Sequence, residues 1–152
     1  MMMKKRDDQR LLCTCCFEEV FDTKAKVCPY CGCKHYYIAP IDGRIFDDVQ
    51  MLNKKGYITY MCCEGHVDRQ PYKNHVAIGA SVSFTRKYDF DWGWDWHDSK
   101  VGNFYIYSRG KRIETPTKKL RNGDEWVKEL TDFKEESLKM LHEGVMALPC
   151  IK

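Results

Sequence analysis

Four cysteines near the N-terminus have the spacing of metal ligands. Two Cys-x-x-Cys pairs, separated by eleven residues, provide Cys13, Cys16, Cys28 and Cys31. Tetrahedral Zn(II) needs four soft donors at about 2.3 Å, and each Cys-x-x-Cys turn supplies two while its backbone amides hydrogen-bond the thiolates. Four protein ligands leave no position for a reacting water. The sequence therefore predicts one structural Zn(II) ion and places any chemistry elsewhere in the chain.

The segment from residue 13 to residue 32 resembles the zinc-ribbon family. Pro29 stiffens the second cysteine turn, and Gly32 permits the positive φ that the turn after the fourth ligand requires. The resemblance also implies that Phe17 and Phe21 pack against the metal cluster.

Other assignments of these thiols stay open. Cys15 and Cys33 are left over from the four ligands, and Cys15 could replace Cys16 in another register. Iron could occupy the same four thiolates in a rubredoxin-like site. Buried free cysteines or redox pairs are the alternatives without a metal, although a thioredoxin-like site would have one Cys-x-x-Cys after a strand rather than two facing pairs.

A second group of reactive side chains follows a predicted strand, where residues 62 to 66 read Cys-Cys-Glu-Gly-His. The Cys-x-Gly-His pattern resembles a group of small, mostly uncharacterised proteins of bacterial phages and mobile elements. More distantly, it resembles the Ser-Cys-x-Gly-Arg segment of the tRNA wybutosine-synthesis methyltransferase family, which implies an RNA substrate and S-adenosylmethionine. Cys62 stands where that family has Ser, and His66 stands where it has Arg.

The chemistry of this second group has two interpretations. Cys63 and His66, with His75, could form a second metal site or a pair of thiolate and base. In the structural alternative, Cys62 and Cys63 straddle a sheet while His66 belongs to a loop.

An aromatic and acidic segment spans residues 88 to 98. As a strand it would alternate, with aromatic side chains on one face and polar side chains on the other. The aromatic face would carry Phe90, Trp92, Trp94 and Trp96, and the polar face would carry Asp89, Asp91, Asp95 and His97. The aromatic face could be a recognition surface, and the carboxylates could imitate phosphates. Alternatively, the aromatic face is core and the acidic face is solvated.

A basic segment follows from residue 100 to residue 121, with seven Lys or Arg residues against Glu114 alone. It could contact phosphates, or it could be the solvated face of a hairpin. Together the two segments provide our candidate partner-binding residues: Trp92, Trp94, Trp96, Asp91, Asp95, Arg109, Lys111 and Arg112.

Composition restricts the class of protein. A hydrophobic fraction of 43% argues against disorder, and the odd count of nine cysteines argues against a secreted disulfide scaffold. No apolar run approaches the roughly 20 residues that a transmembrane helix needs, so we expect a cytoplasmic protein without membrane attachment. The net charge of +3 does not by itself indicate nucleic acid binding.

Hydrophobic periodicity predicts the elements. A helix is expected over residues 43 to 55, capped by Asp42 and ended by Gly56. Strands are expected at 57 to 62, 75 to 84 and 104 to 107, the last turning back into a partner strand at 112 to 115. The chain after Gly123 is predicted helical, with a break available at residues 131 and 132. The helical apolar face comprises Val127, Leu130, Leu138, Leu141, Val145 and Leu148.

These elements predict an α+β fold. A zinc ribbon with a short polar leader occupies residues 1–38, and residues 39–152 form an α+β domain in which helices cover one face of a mainly antiparallel sheet. The common phosphate-loop, dinucleotide and hydrolase motifs are absent from the sequence.

Our leading hypothesis is a zinc-binding accessory protein of a phage or mobile element that acts by binding a macromolecule. Its partner would be nucleic acid or a host protein that handles nucleic acid, including a defence nuclease that it inhibits. The alternative is an RNA- or nucleotide-modifying enzyme with a site around Cys63, His66 and His75. A second metal ion and the oligomeric state stay open.

Overall fold

The computed structural model describes residues 5–68, 75–114 and 123–152. Its two α-helices within these ranges are α1 (Phe46–Lys55) and α2 (Gly123–Ala147). Three-residue 3-10 helices cover His35–Tyr37 and Gly43–Ile45. The strands of the described residues are β1 (Gln9–Cys13), β2 (Glu19–Val20), β3 (Ile38–Asp42), β4 (Thr59–Cys63), β5 (His66–Asp68), β6 (His75–Ile78), β7 (Ser81–Phe84), β8 (Asp95–Asp98), β9 (Tyr105–Ser108) and β10 (Lys111–Glu114).

The N-terminal sheet has the order β2-β1-β3, and both pairings are antiparallel. Successive side chains of a strand point to opposite faces. Leu11 accordingly packs with the buried cysteines Cys13 and Cys28, whereas Leu12 packs into the main core. The main core is the cluster of buried side chains that includes Phe46, Val49, Phe84, Tyr107 and Leu141. The two faces of this sheet therefore contact the cysteine cluster and the main core, respectively.

The last residues of the predicted polar leader belong to this sheet. Residues 9 and 10 belong to β1, and the Asp8 carbonyl accepts a 2.8 Å hydrogen bond from the Gly43 amide. The Arg6 guanidinium also donates to the Asp42 carboxylate at 2.8 Å. These residues of the polar leader are therefore held in place, because their backbone and charges have partners on β3 and just beyond it.

The other two sheets are bent halves of one antiparallel arrangement. The four-stranded sheet has the order β4-β7-β9-β8, and the three-stranded sheet has the order β10-β6-β5. Strands β4, β7 and β9 of the first sheet connect through short links to β5, β6 and β10 of the second. Across the bend, the Gly79 amide donates to the Gly110 carbonyl at 2.8 Å. The strand predicted over residues 75 to 84 is therefore two strands.

The bend also corrects a predicted hairpin. Residues 112 to 115 were expected to fold back on the preceding strand, but β10 pairs with β6, with Arg112 opposite Ala77. Strand β9 pairs instead with β7 and β8. Arg109 and Gly110 thus form a bend between sheets rather than the turn of a hairpin.

Gly65 makes the closest backbone approach at this bend. It has a φ of +86°, and a Cβ atom there would lie 2.3 Å from the Ile78 carbonyl oxygen. L side chains rarely adopt this conformation, and no side chain could occupy that space. The glycine of the Cys-x-Gly-His segment therefore has a structural role at the junction of two sheets.

Helix α1 begins three residues later than predicted. Gly43–Ile45 form a 3-10 turn before it. The Asp42 carboxylate accepts no hydrogen bond from the helix amides, because it accepts hydrogen bonds from Arg6, Gln9 and the Glu64 amide instead. The predicted C-terminal end is confirmed, since Gly56 has a φ of +102° in the left-handed region.

Helix α2 is continuous over 25 residues, so the break considered at residues 131 and 132 does not occur. At 1.5 Å per residue it is about 38 Å long, enough to cross both bent sheets. Its N-terminal half places Leu130 and Phe133 against Ala77 of β6, and its C-terminal half places Leu141 and Val145 in the main core with α1.

The C-terminal end of α2 is tied to α1 by a cation. The Lys55 ammonium donates to the carbonyls of Val145 and Leu148 at 2.8 and 2.7 Å. A positive charge is favourable there, because the last carbonyls of a helix have no partner within the helix. These contacts fix the two helices on the same side of the main core.

The aromatic segment is only partly a strand. Strand β8 covers residues 95 to 98. The preceding residues from 88 to 94 form an irregular segment with a bend at residues 92 and 93, along which aromatic rings stack. Phe90 and Trp92 stack with centroids 4.7 Å apart, and Trp92 and Trp94 are 8% and 6% exposed. Residues 88 to 94 therefore close one side of the main core.

The α+β class with mainly antiparallel sheets and an N-terminal cysteine cluster is confirmed. The division into residues 1–38 and 39–152 stays a prediction. Strand β3 spans that boundary, and Leu12, Phe17 and Ile41 share the main core with α1.

Candidate metal centre

Two turns with the same backbone hydrogen bonds carry the four predicted ligands. In the first turn, the Cys13 carbonyl accepts from the Phe17 amide, and the Cys13 amide donates to the Glu18 backbone carbonyl. In the second, the Cys28 carbonyl accepts from the Gly32 amide, and the Cys28 amide donates to Cys33 at 2.7 Å. In both turns, therefore, the carbonyl of the first cysteine accepts from the amide four residues later, and its amide donates to the carbonyl five residues later.

This equivalence places Phe17 where the second turn has glycine. Gly32 has a φ of +78°, and Phe17 has a φ of +62°, which makes it the non-glycine residue with positive φ among the described residues. A left-handed conformation costs an L residue roughly 1 kcal/mol or more. Phe17 is nevertheless 9% exposed and packs in the main core, so burial of its ring offsets the strain.

The four predicted thiols come together. The sulfurs of Cys13 and Cys31 are 3.6 Å apart, those of Cys16 and Cys28 are 3.7 Å apart, and all four lie within 4.8 Å of one another. A tetrahedron of thiolates around a metal at about 2.3 Å has edges of about 3.8 Å. A disulfide would need about 2.05 Å, and all nine cysteines are free thiols. The group can hold a metal ion.

Burial of the sulfurs is uneven. Cys13 and Cys28 are buried, Cys16 is half-buried and Cys31 is exposed. Burial raises the pKa of the Cys16 thiol to about 12, although the Glu18 amide opposes this shift. The Cys33 amide is the main cause that lowers the pKa of Cys31 to about 6. A cation is needed to ionise the buried thiols, so metal affinity must fall as pH falls.

The first cysteine turn is also anchored to the helical layer. Gln50 on α1 donates to the Phe17 carbonyl at 2.8 Å, and Lys54 lies 3.1 Å from the Glu18 carboxylate. The Lys152 ammonium lies 5.4 Å from the centre of the Phe17 ring. Because α1 contacts this turn directly, loss of the metal should loosen the packing of the main core as well as the ribbon.

Phe21 does not pack against the metal cluster. Its side chain is 76% exposed, and Phe17 packs into the main core. The apolar neighbours of the cysteines are instead Leu11, Val20 and Ile38. The implied packing of Phe17 and Phe21 was therefore wrong: Val20, the last residue of β2, packs with the cysteines, and Phe21 follows that strand and is exposed.

Cys15 and Cys33 also lie together at the cluster. With Cys13 they form a second group of three thiols whose sulfurs are within 4.8 Å of one another. The thiols of Cys15 and Cys31 are the first causes that raise the pKa of Cys33. Cys13 is the sulfur common to both groups.

An aromatic and basic surface surrounds the metal centre, and the sequence analysis did not predict it. Tyr30, Tyr36 and Tyr37 are 60%, 62% and 45% exposed. The residues from 23 to 38 include three exposed lysines and no acidic residue. The lysines are Lys24, Lys26 and Lys34. Four thiolates and one divalent cation would carry a net charge of about −2, against three positive charges from the lysines.

The predicted acidic and aromatic residues separate as the core alternative describes. Trp92 and Trp94 are buried, and Trp96 is half-buried against the core. Asp91 and Asp95 are exposed. The tryptophans therefore hold the segment in place while the carboxylates face solvent.

Two of the three basic candidates, Arg109 and Arg112, contact helix α2. The guanidinium of Arg112 lies 3.4 Å from Glu129, and that of Arg109 lies 3.9 Å from Glu136 and over the Phe133 ring. Lys111 is exposed. Residues 115 to 121 of the basic segment lie outside the described residues.

The second group of reactive side chains stays a prediction, since only Cys63 and His66 of its three members have described side chains. Cys63 accepts a 3.3 Å hydrogen bond from the Gly65 amide, and His66 is exposed. Neither belongs to a group of metal-binding side chains in the described part of the chain. The side chain of His75 lies outside the described residues. Burial raises the pKa of the Cys62 thiol to about 12.

No helix within the described ranges has the length and apolar character needed to cross a membrane. No protein-family model, curated protein or solved structure matches this chain.

Proposed function

We propose that this is a zinc protein that binds single-stranded nucleic acid through the surface around its metal centre. The supporting observation is the combination of exposed Tyr30, Tyr36 and Tyr37 with three exposed lysines on the segment from 23 to 38. Bases stack on aromatic rings without sequence preference, and lysines neutralise the phosphates between them.

Zinc has a structural role in this proposal. Zn(II) is the favoured ion because its tetrahedral shell accepts four thiolates, although iron accepts the same donor set. The metal holds two turns, of which the second contains Tyr30 and is followed closely by Tyr36 and Tyr37. Without it, the ribbon would lose on the order of 10 kcal/mol of folding free energy, and the surface would not form.

The test is binding of a fluorescent 20-nucleotide single strand, measured by anisotropy at several salt concentrations. We expect affinity to fall with salt with a logarithmic slope of about −2 if three lysines contact phosphates. Replacing both Tyr36 and Tyr37 with Ala should weaken binding at least about 5-fold, because stacking contributes roughly 1–3 kcal/mol per base.

Tyr60→Ala is the matched control. Tyr60 is 62% exposed, as Tyr36 is, but lies on β4, outside the segment from 23 to 38 that carries the proposed surface. Equal losses for the Tyr60 and Tyr36/Tyr37 variants would contradict the proposed surface, as would a complete lack of binding at low salt.

A protein partner is the second candidate, and the exposed carboxylates favour it. Asp89, Asp91, Asp95 and Asp98 are all exposed on one segment that ends at edge strand β8. Such a row could occupy the nucleic-acid groove of a partner, which is how an accessory protein of a phage or mobile element would inhibit a host nuclease.

A nuclease-protection assay tests the second candidate. Excess protein should protect plasmid DNA from at least one of a panel of purified restriction nucleases, and Asp91→Asn/Asp95→Asn should not. Equal protection by both proteins, or none by either, would contradict it.

A further inference from the structure

We propose that Cys13, Cys15 and Cys33 form a second metal site that takes Cu(I) on three thiolates beside the zinc centre. The three sulfurs lie within 4.8 Å of one another. A three-coordinate ion with metal–sulfur bonds of about 2.3 Å needs sulfurs about 4.0 Å apart, so only small adjustments are required. The inference rests on the zinc centre but not on nucleic acid binding.

The backbone of the two turns brings these sulfurs together. Cys15 is two residues after the first cysteine of its turn, and Cys33 is five residues after the first cysteine of the other. With the two turns exchanged, the equivalent positions are Tyr30, two residues after Cys28, and Glu18, five residues after Cys13. Neither has a sulfur. The second site can therefore form on one side of the zinc centre.

Cys13 bridges the two ions. It is 0% exposed, so its sulfur is shielded from solvent and directed at both groups. A thiolate has more than one lone pair and can bind two cations at once. Cys15 is exposed and Cys33 is half-buried, which gives an incoming ion access to the site.

The donor set selects the class of ion. Soft thiolates favour Cu(I) and Zn(II) over Mg(II), Ca(II) and Mn(II). Zn(II) prefers four ligands, and the second group offers three among the described residues. Cu(I) is the soft biological cation that three thiolates satisfy.

The test counts both metals on the intact, reduced protein. Zinc-loaded protein is incubated anaerobically with Cu(I) held by a competing chelator, then desalted and analysed by native mass spectrometry. We expect one zinc and one copper per chain for the wild type. Cys15→Ser/Cys33→Ser should hold one zinc and no copper. Cys150→Ser, which removes an exposed thiol outside the ribbon, should behave as the wild type.

The possible results separate the two sites. Copper on the double variant, copper gained only as zinc is lost, or no copper on the wild type would each overturn the second site. Failure to hold zinc in the absence of copper would instead overturn the zinc centre on which it rests.

A wild-type measurement avoids dependence on the variants. In the zinc-loaded protein, Cys15 and Cys33 should react with a maleimide, and copper should slow alkylation of both at least tenfold. Unchanged alkylation of either cysteine after copper addition would overturn the site.

Discussion

Substitutions of Phe17 test two features of the first cysteine turn. One is the left-handed backbone conformation of this residue, and the other is the packing of its ring in the main core. Its φ is +62° and its side chain is 9% exposed. Removal of a buried phenylalanine ring costs roughly 3–5 kcal/mol. Phe17→Ala loses the ring and keeps the strain. Phe17→Gly loses the ring but relieves the strain, so it should be more stable than Phe17→Ala by about 1 kcal/mol.

Phe133 provides the matched control. It is 8% exposed, but it lies within helix α2. In a helix interior, glycine is less stable than alanine by about 1 kcal/mol. Phe133→Gly should therefore be less stable than Phe133→Ala, whereas Phe17→Gly should be more stable than Phe17→Ala. The two differences have opposite signs and are separated by about 2 kcal/mol.

The assay is urea unfolding at saturating zinc, followed by the fluorescence of the buried tryptophans Trp92 and Trp94. Zinc content of each variant confirms that the comparison is between metal-bound proteins. If Phe17→Ala were as stable as Phe17→Gly, the left-handed conformation of this turn would be refuted.

Two further substitutions test the close contacts of the fold. Gly65→Ala should lower the unfolding free energy by at least about 2 kcal/mol in urea titrations, because the new Cβ would lie 2.3 Å from the Ile78 carbonyl oxygen. Gly32→Ala is the control, since a Cβ at that position meets nothing within 4 Å. A smaller loss of stability for Gly65→Ala than for Gly32→Ala would contradict the close approach. Gly144→Ala should lower the melting temperature although alanine favours helices, because its Cβ would lie 2.4 Å from Trp92 Nε1. The loss should shrink in a Trp92→Phe background, and an unchanged loss would refute the contact.

The cysteine spacing was sufficient to predict a cluster of four thiols that could hold a metal, because the geometry of each turn is local. A Cys-x-x-Cys turn fixes two sulfurs within a few residues, and the four predicted thiols of Cys13, Cys16, Cys28 and Cys31 do converge. The helix end at Gly56 was predictable for the same reason. Each depends on residues that are neighbours in sequence.

Features that depend on distant residues were not predictable. The path of β10 depends on a bend shared by three strands, and its sequence is compatible with either hairpin or bend. Asp42 has the composition of a helix cap, but Arg6, far away in sequence, binds its carboxylate. Phe17 looks like a ribbon aromatic, and only its left-handed φ directs the ring into the main core. Tertiary contacts overrode local preference in each case.

The aromatic surface of the ribbon had a signal in the sequence that the analysis passed over. Tyr30, Tyr36 and Tyr37 are interspersed with lysines between and after the cysteines, in a segment too short to bury them. The tryptophans of residues 92 to 96 were more conspicuous. Because their segment lies over the main core, Trp92 and Trp94 became part of it.

The most direct test of the account is the metal content of the purified, folded chain, measured by elemental mass spectrometry for the wild type and Cys28→Ser. We predict one zinc per wild-type chain and less than one tenth of that for Cys28→Ser, because removal of a buried ligand opens the shell. A wild-type chain that contains no transition metal and whose unfolding is unchanged by a strong chelator would contradict it.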